Sequence, residues 1–371
     1  MRVLLLLLTL GVALGACGQT PAPTRAASRP HPAASSAPPT ATPTPATEHA
    51  LIAVADDRGT TLALYTLDGS QVARATLSSS QHSGWAAVGG GMLTFVDGGV
   101  LKGMTPAGAM RTLGPLTGWN GGRVVVGPDG RQWMWAVYSA DGASGSTSSK
   151  VVLGTAGTPD RIVARQTAVG RTFMPLRWTA GGPTYQSMPM GIGGYILFGD
   201  SAMGPSYRFD PDTGQVSPVV DSSCNLADVA ADGTIACFRP ADHSLAVLRP
   251  DGHSPFAVTL PTPAFNQEGA LTFAPGPTAT ALAVGGATGA GPADERYQTD
   301  ILDVASRTLR PFGPAGLRPA ADPWLPDGSL VAYRPAGAYG GDPGIYTVAP
   351  DGTARRVLPS GTPIGVVIVR G

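Results

Sequence analysis

The sequence predicts an all-β fold, a seven-bladed β-propeller, on three observations. A hairpin pattern recurs seven times along the chain, a second family of turns falls between the copies, and the composition suits a protein of many tight turns. The chain has 371 residues, with 51 Gly and 36 Pro. Glycine supplies positive φ and proline pre-sets turn geometry, so together they favour short strands joined by sharp reversals. The 43% of hydrophobic residues sets the chain apart from a disordered one. Formal net charge is zero, which leaves no basic field to neutralise phosphates, so nucleic acid is not expected as a partner.

The first hairpin pattern is a β-rich run, a turn containing Asp, Gly or Pro, and a second run ending in apolar, Arg or Thr residues. It begins at Tyr65–Gly69, before Val72–Leu77. It returns at Pro106–Gly108, Ala156–Asp160, Asp210–Gly214, Pro250–Gly252, Asp303–Ser306 and Pro350–Gly352. Between these copies stand Gly89–Gly91, Pro128–Gly130, Ala180–Gly182, Ala231–Gly233, Pro275–Pro277 and Pro326–Gly328. Two hairpins per repeat make a four-stranded antiparallel sheet, the unit of a propeller blade. Residues 49–371 divided by seven give about 46 per blade.

The second family has six members, not seven. Leu51–Ala55 reads as the second strand of a blade lacking its first, and Ile364–Val369 as a strand lacking a blade. Pairing them completes blade one with the C-terminal strand, closes the ring and covers an exposed edge. The rival fold is two stacked β-sandwiches. Asp294–Leu309 also fits a helix on its apolar spacing at 297, 301 and 305, but the seven-fold register favours strands.

The N-terminus carries an address. Arg2 provides a positive start and Val3–Ala13 an apolar run of secretory length, shorter than the roughly 20 residues a bilayer span needs. It ends in Leu14-Gly15-Ala16-Cys17, which resembles the lipobox of bacterial lipoproteins. That resemblance implies a signal peptide over 1–16, diacylation of the Cys17 thiol and cleavage before it. An ordinary signal peptide that happens to carry a cysteine is the alternative. Residues 18–48 contain no large apolar side chain and are mostly Pro, Ala, Ser and Thr, so they have nothing to bury against the entropy of ordering. Segment 17–48 is therefore expected to be a lipidated, disordered tether, and 49–371 the propeller.

Two propeller families are resembled. Pro-Asp-Gly at 128, 250, 326 and 350 is similar to TolB-type and WD40-like periplasmic repeats. Gly285-Gly286 before Ile301–Leu309, and Gly193-Gly194 before Phe209–Gly214, are similar to kelch repeats. Val216 and Leu309 stand where a kelch repeat carries its Trp.

With Cys17 acylated, Cys224 and Cys237 remain and flank the Ala231–Gly233 turn, so a structural disulfide is expected, two buried thiols being the alternative. No metal or cofactor is expected. The five histidines share no ligand spacing, and Asp210–Gly214 opens like a calcium loop without the acidic residue that would complete the cage. Neither a Gly-x-Ser-x-Gly elbow nor a sialidase Asp-box occurs. Glu268 and Asp322 are the best-placed carboxylates, near starts of first strands. Trp85, Trp119 and Trp324 lie near the same face, packing into the core being the other and favoured reading of each, and long connections fall there at 139–149, 188–205, 285–296 and 334–343. Long loops gathered on one face of a rigid scaffold suggest a binding surface. The expectation is a non-enzymatic, membrane-anchored extracytoplasmic lipoprotein of the cell envelope that binds a protein or glycan. The alternative is a propeller-type glycosidase or lyase with its site at the central channel.

Overall fold

The structure, a computed structural model, describes residues 48–78, 85–140, 146–189, 203–250, 255–260, 269–288, 296–336 and 341–370. All of them belong to the second of two units into which the chain divides, Ala46–Gly371. Among the described residues every regular element is a β-strand and none is a helix.

The series opens with β1 (Glu48–Ala55), β2 (Thr61–Tyr65) and β3 (Gln71–Thr76). Five four-stranded antiparallel sheets follow in chain order. The first holds β4 (Ala86–Gly89), β5 (Met92–Asp97), β6 (Val100–Met104) and β7 (Met110–Pro115). The second holds β8 (Val124–Val126), β9 (Gln132–Ala140), β10 (Ser146–Thr155) and β11 (Thr158–Val169). The third holds β12 (Arg171–Thr179), β13 (Gly182–Pro189), β14 (Ser206–Phe209) and β15 (Val216–Val220). The fourth holds β16 (Asn225–Val229), β17 (Ile235–Arg239), β18 (Ser244–Leu248) and β19 (Phe256–Thr259). The fifth holds β20 (Gly269–Phe273), β21 (Ala281–Thr288), β22 (Arg296–Asp303) and β23 (Thr308–Pro311). Where it is described, the stretch 294–309, with its helical spacing, is strand over Arg296–Asp303 and from Thr308 on, with a turn at 304–307 between them.

The chain ends in β24 (Arg318–Trp324), β25 (Leu330–Arg334), β26 (Gly344–Val348), β27 (Ala354–Leu358) and β28 (Thr362–Arg370). These five join the first three strands in the order β27-β26-β25-β24-β28-β1-β2-β3. β28 pairs antiparallel with β1 from Glu48↔Arg370 to Ala55↔Thr362. β24 meets β28 through one parallel pair, Asp322↔Gly365, so the eight strands are two four-stranded runs joined at their edges.

The hairpins form where turn chemistry demands them. In the β8–β9 turn Gly130 adopts φ 68° and donates its N–H to Gly127 O at 2.9 Å, while Asp129 Oδ1 accepts the Arg131 N–H at 2.9 Å. The β26–β27 turn repeats this at Gly352, φ 86°, with Asp351 accepting from Thr353 N at 2.8 Å. The aspartate closes the turn with its own side chain, and only glycine takes the left-handed residue after it without strain.

Strands buried on both faces read as unbroken apolar runs, as in Leu51–Val54. Their side chains fill a succession of cores between consecutive sheets. Leu51 and Ala53 of β1 pack with Leu93 and Phe95 of β5, whereas Ile52 and Val54 pack with Val331 and Ile345 of β25 and β26. The first strands follow the same succession: β28 neighbours β4, then come β8, β12, β16, β20 and β24, and β24 neighbours β28 again.

Candidate functional site

Four of these neighbouring edge strands contribute to one polar cluster. Arg177 of β12, Asp228 of β16, Thr272 of β20 and Asp322 of β24 meet at its centre. Arg177 Nε lies 3.1 Å from Asp228 Oδ1, and Nη1 donates to Asp228 Oδ2 at 3.3 Å. Nη2 donates to Asp322 Oδ1 at 2.8 Å and to Thr272 Oγ1 at 3.3 Å. The guanidinium fork is therefore spent on three strands beyond its own.

Local irregularities aim these side chains. Register shifts between Pro175 and Arg177 in β12, between Leu226 and Asp228 in β16, and between Pro319 and Trp324 in β24. A bulge redirects the residue beside it, and three of the four cluster members sit at or within such a shift. Gly365 of β28 leaves room opposite. A Cβ there would lie 3.0 Å from Val88 Cγ2 and 3.1 Å from Asp322 Cβ.

The two carboxylates are unequal. The Asp228 side chain is 2% exposed, and its oxygens also accept the N–H groups of Val229 at 2.8 Å and Phe273 at 2.7 Å. Burial pushes its carboxyl above the usual carboxylate range, against the opposing pull of Arg177 and those two N–H groups. Asp322 is 39% exposed and reaches Arg177 through one oxygen. Burial disfavours the Arg177 charge, but the two carboxylates outweigh it and hold that group firmly protonated. Thr272 Oγ1 donates to Ala321 O at 3.1 Å, so its hydroxyl is committed as well.

Of the sequence candidates, Asp322 belongs to this cluster, while Glu268 and Cys17 lie outside the described residues. Trp119 and Trp324 are buried, 7% and 9% exposed. The Trp119 indole donates to Gly122 O at 3.3 Å and the Trp324 indole to Thr272 O at 2.9 Å, and both rings pack between sheets. Trp85 is half-buried against the same core as Trp119. Trp119 and Trp324 thus take the core reading, and Trp85 packs against a core while keeping part of its surface exposed. Cys224 and Cys237 form a disulfide with Cα atoms 5.6 Å apart. The Asp210 turn carries no cage, since its carboxylate accepts the N–H groups of Asp212 and Thr213. Among the described residues no three His, Cys, Asp or Glu side chains gather as a metal site.

The long connections are shorter than the sequence suggested. Thr147, Ser148 and Ser149 pair with Ala140, Ser139 and Tyr138, and β13 and β21 extend to Pro189 and Thr288. What remains of two connections, 141–145 and 289–295, lies outside the described residues, as do 190–202 of the third and 337–340 of the fourth.

Sequence reasoning missed Arg177, Asp228 and Thr272. The signal lay in the repeat: each stands four residues before the centre of its hairpin turn, at Gly181, Asp232 and Gly276.

No family model matches the sequence, and neither does any curated protein. Several solved structures share the fold. An acylaminoacyl peptidase of Pyrococcus horikoshii is 10% identical with a TM-score of 0.50, over 84% of this chain and 51% of that one. Virginiamycin B lyase from Staphylococcus aureus is 10% identical with a TM-score of 0.42, over 86% of this chain and 94% of the other. The β-propeller domain of the Trilobed protease from Pyrococcus furiosus is 10% identical with a TM-score of 0.37, over 62% and 68%. The structural neighbours are β-propeller proteins, and at such identity the likeness concerns the fold alone.

Proposed function

We propose that the chain is an extracytoplasmic lipoprotein, anchored through Cys17, whose seven-bladed propeller binds an envelope protein or glycan without catalysis. The succession of seven inter-sheet cores and the β1–β28 pairing support seven blades closed by the C-terminal strand. The Cys224–Cys237 bond is in keeping with an oxidising compartment. Repeats of the TolB or kelch kind suit the Asp-Gly turns.

The observation that carries a binding role over a catalytic one is the self-satisfaction of the central cluster. Glycosidase chemistry needs two carboxyl groups free to act on either side of a bond. Here Asp228 and Asp322 are both held by one guanidinium, and Asp228 by two backbone N–H groups besides. The cluster acts as a clasp among four blades and leaves recognition to the surface around it.

Two measurements test this reading. Wild-type protein should incorporate labelled fatty acid and be cleaved before Cys17, and Cys17→Ser should stay uncleaved and unlabelled. Equal fatty-acid labelling of the two removes the anchor. Photo-cross-linking from the propeller in intact envelopes should capture one partner, whereas turnover of a glycan substrate that is lost in Asp322→Asn would replace the binding role with an enzymatic one.

A further inference from the structure

A cavity of about 690 Å³ lies at the edge of the core that β1 shares with β5. One side of it is built by His49 and Leu51 of β1, Val369 of β28 and Val72 of β3. Pairing sets this side: His49 stands opposite Val369, and Leu51 shares its face of the sheet. Leu51 is buried and Val369 half-buried in that core, whereas Val72 is 45% exposed, so an apolar lining runs from the interior out to solvent.

The other side is the turn between β6 and β7, with Arg111 just beyond it. The polar backbone of this turn is spent on itself. Gly108 donates its N–H to Thr105 O at 2.8 Å, Thr105 donates to Ala109 O at 2.9 Å, and Ala109 donates to Thr105 Oγ1 at 3.1 Å. What the turn offers to the cavity is the apolar surface of Pro106, Ala107 and Ala109. Gly108, at φ 81°, brings it close to β3, where an added Cβ would lie 3.2 Å from Ala73 Cβ. The ionisable side chains of the lining, His49 and Arg111, are both exposed and basic.

Position and charge select the occupant. β1 begins at Glu48, so the preceding chain enters the fold beside His49, at the cavity. The 31 residues between Cys17 and His49 reach roughly 100 Å at about 3.1 Å each. A propeller held within that distance of a bilayer meets lipid at high effective concentration. We propose that the cavity takes an acyl chain of an anionic phospholipid, with Arg111 meeting the headgroup phosphate. The acyl chain passes from one apolar medium to another, so the gain comes from drying the lining around Val72 and Pro106 and from a charge-assisted contact at the rim. The negative potential of an anionic leaflet draws Arg111 the same way. The inference rests on the Cys17 anchor proposed above and adds a second, non-covalent hold on the membrane.

The test reconstitutes the full-length protein into vesicles of phosphatidylcholine, alone or mixed with phosphatidylglycerol, that carry a trace of lipid with a diazirine in its acyl chain. After illumination, mass spectrometry should find the label on peptides holding Leu51, Val72 and Pro106–Arg111, and more of it in the mixed vesicles. Val72→Asp and Ala107→Asp, both at exposed positions, put a charge into the apolar lining and should each lower that labelling about tenfold with the melting curve unchanged. Arg111→Gln should keep the labelling in phosphatidylcholine and lose the gain from phosphatidylglycerol. Label spread evenly over the propeller, full labelling in both Asp variants, or an undiminished gain in Arg111→Gln would each overturn the site. So would self-association that Val72→Asp abolishes while no acyl label enters the cavity, because a second copy then covers it. Fatty-acid labelling of Cys17 is followed in parallel. A labelled Cys17 with a silent cavity overturns this site and leaves the anchor, whereas cavity labelling on a chain unlabelled at Cys17 supports the site and removes the anchor.

Discussion

Replacing Arg177 with methionine strands a carboxylate inside the protein. Asp228 is 2% exposed and would keep only the N–H groups of Val229 and Phe273. Breaking one side of a buried pair costs about 3–5 kcal/mol. Asp322, 39% exposed, is screened by water, so its share is about 1 kcal/mol or less. Two surviving backbone hydrogen bonds place the expected loss near the lower bound, about 3 kcal/mol near neutral pH. The deficit should depend on pH with a definite sign. Burial already raises the Asp228 carboxyl in the folded state, so between the ordinary value and the raised one the folded protein binds more protons and gains stability as pH falls. Removing Arg177 takes away the largest opposing influence and widens that window upward. Urea unfolding followed by tryptophan fluorescence, from about pH 8 down to about pH 5, should show the gap between variant and wild type narrowing. A deficit under about 1 kcal/mol, or one constant across that range, refutes the clasp.

Deleting Pro363–Gly371 removes the partner of β1 along with the buried Val366 and Val367. The shortened protein should lose its single cooperative melt, and a melting curve matching the parent's would separate β28 from any closing role. Cys224→Ser with Cys237→Ser opens a link between residues 13 apart and should cost about 3 kcal/mol in urea unfolding. An unchanged midpoint would make the bond ornamental. Gly365→Val drives a side chain into Val88 and Asp322 and should cost about 1–3 kcal/mol, read as a lower melting temperature. No change there would mean the inner edges are looser than their spacing implies.

Legibility in the sequence followed range. The Asp-Gly turns at 128–130, 326–328 and 350–352 are set by three adjacent residues, so they were readable one at a time, and the repeat followed from them. The partnership of Leu51–Ala55 with Ile364–Val369 was also readable, because each was a strand short of a sheet. The central cluster was not, since Arg177 and Asp322 are 145 positions apart and nothing near either announces the other. For the tryptophans the sequence left two readings open, surface and core, because position near a strand start is local while burial is decided by the facing sheet. Ser146–Ser149 read as loop because they are polar, yet pairing with β9 buries Thr147 to 2% and Ser149 to 5% exposure.

The β1–β28 pairing also sets an order of events. A ribosome delivers β1 first and Thr362–Arg370 last, with the whole series of sheets between them. Until the last strand arrives, β1 has β2 on one side and a bare edge on the other. The β1–β28 pairing is thus a late step, slow in the way that distant pairings are slow. A chain cut short by proteolysis or stalled synthesis retains that open edge, a template for any passing strand, so the fold marks its own unfinished copies.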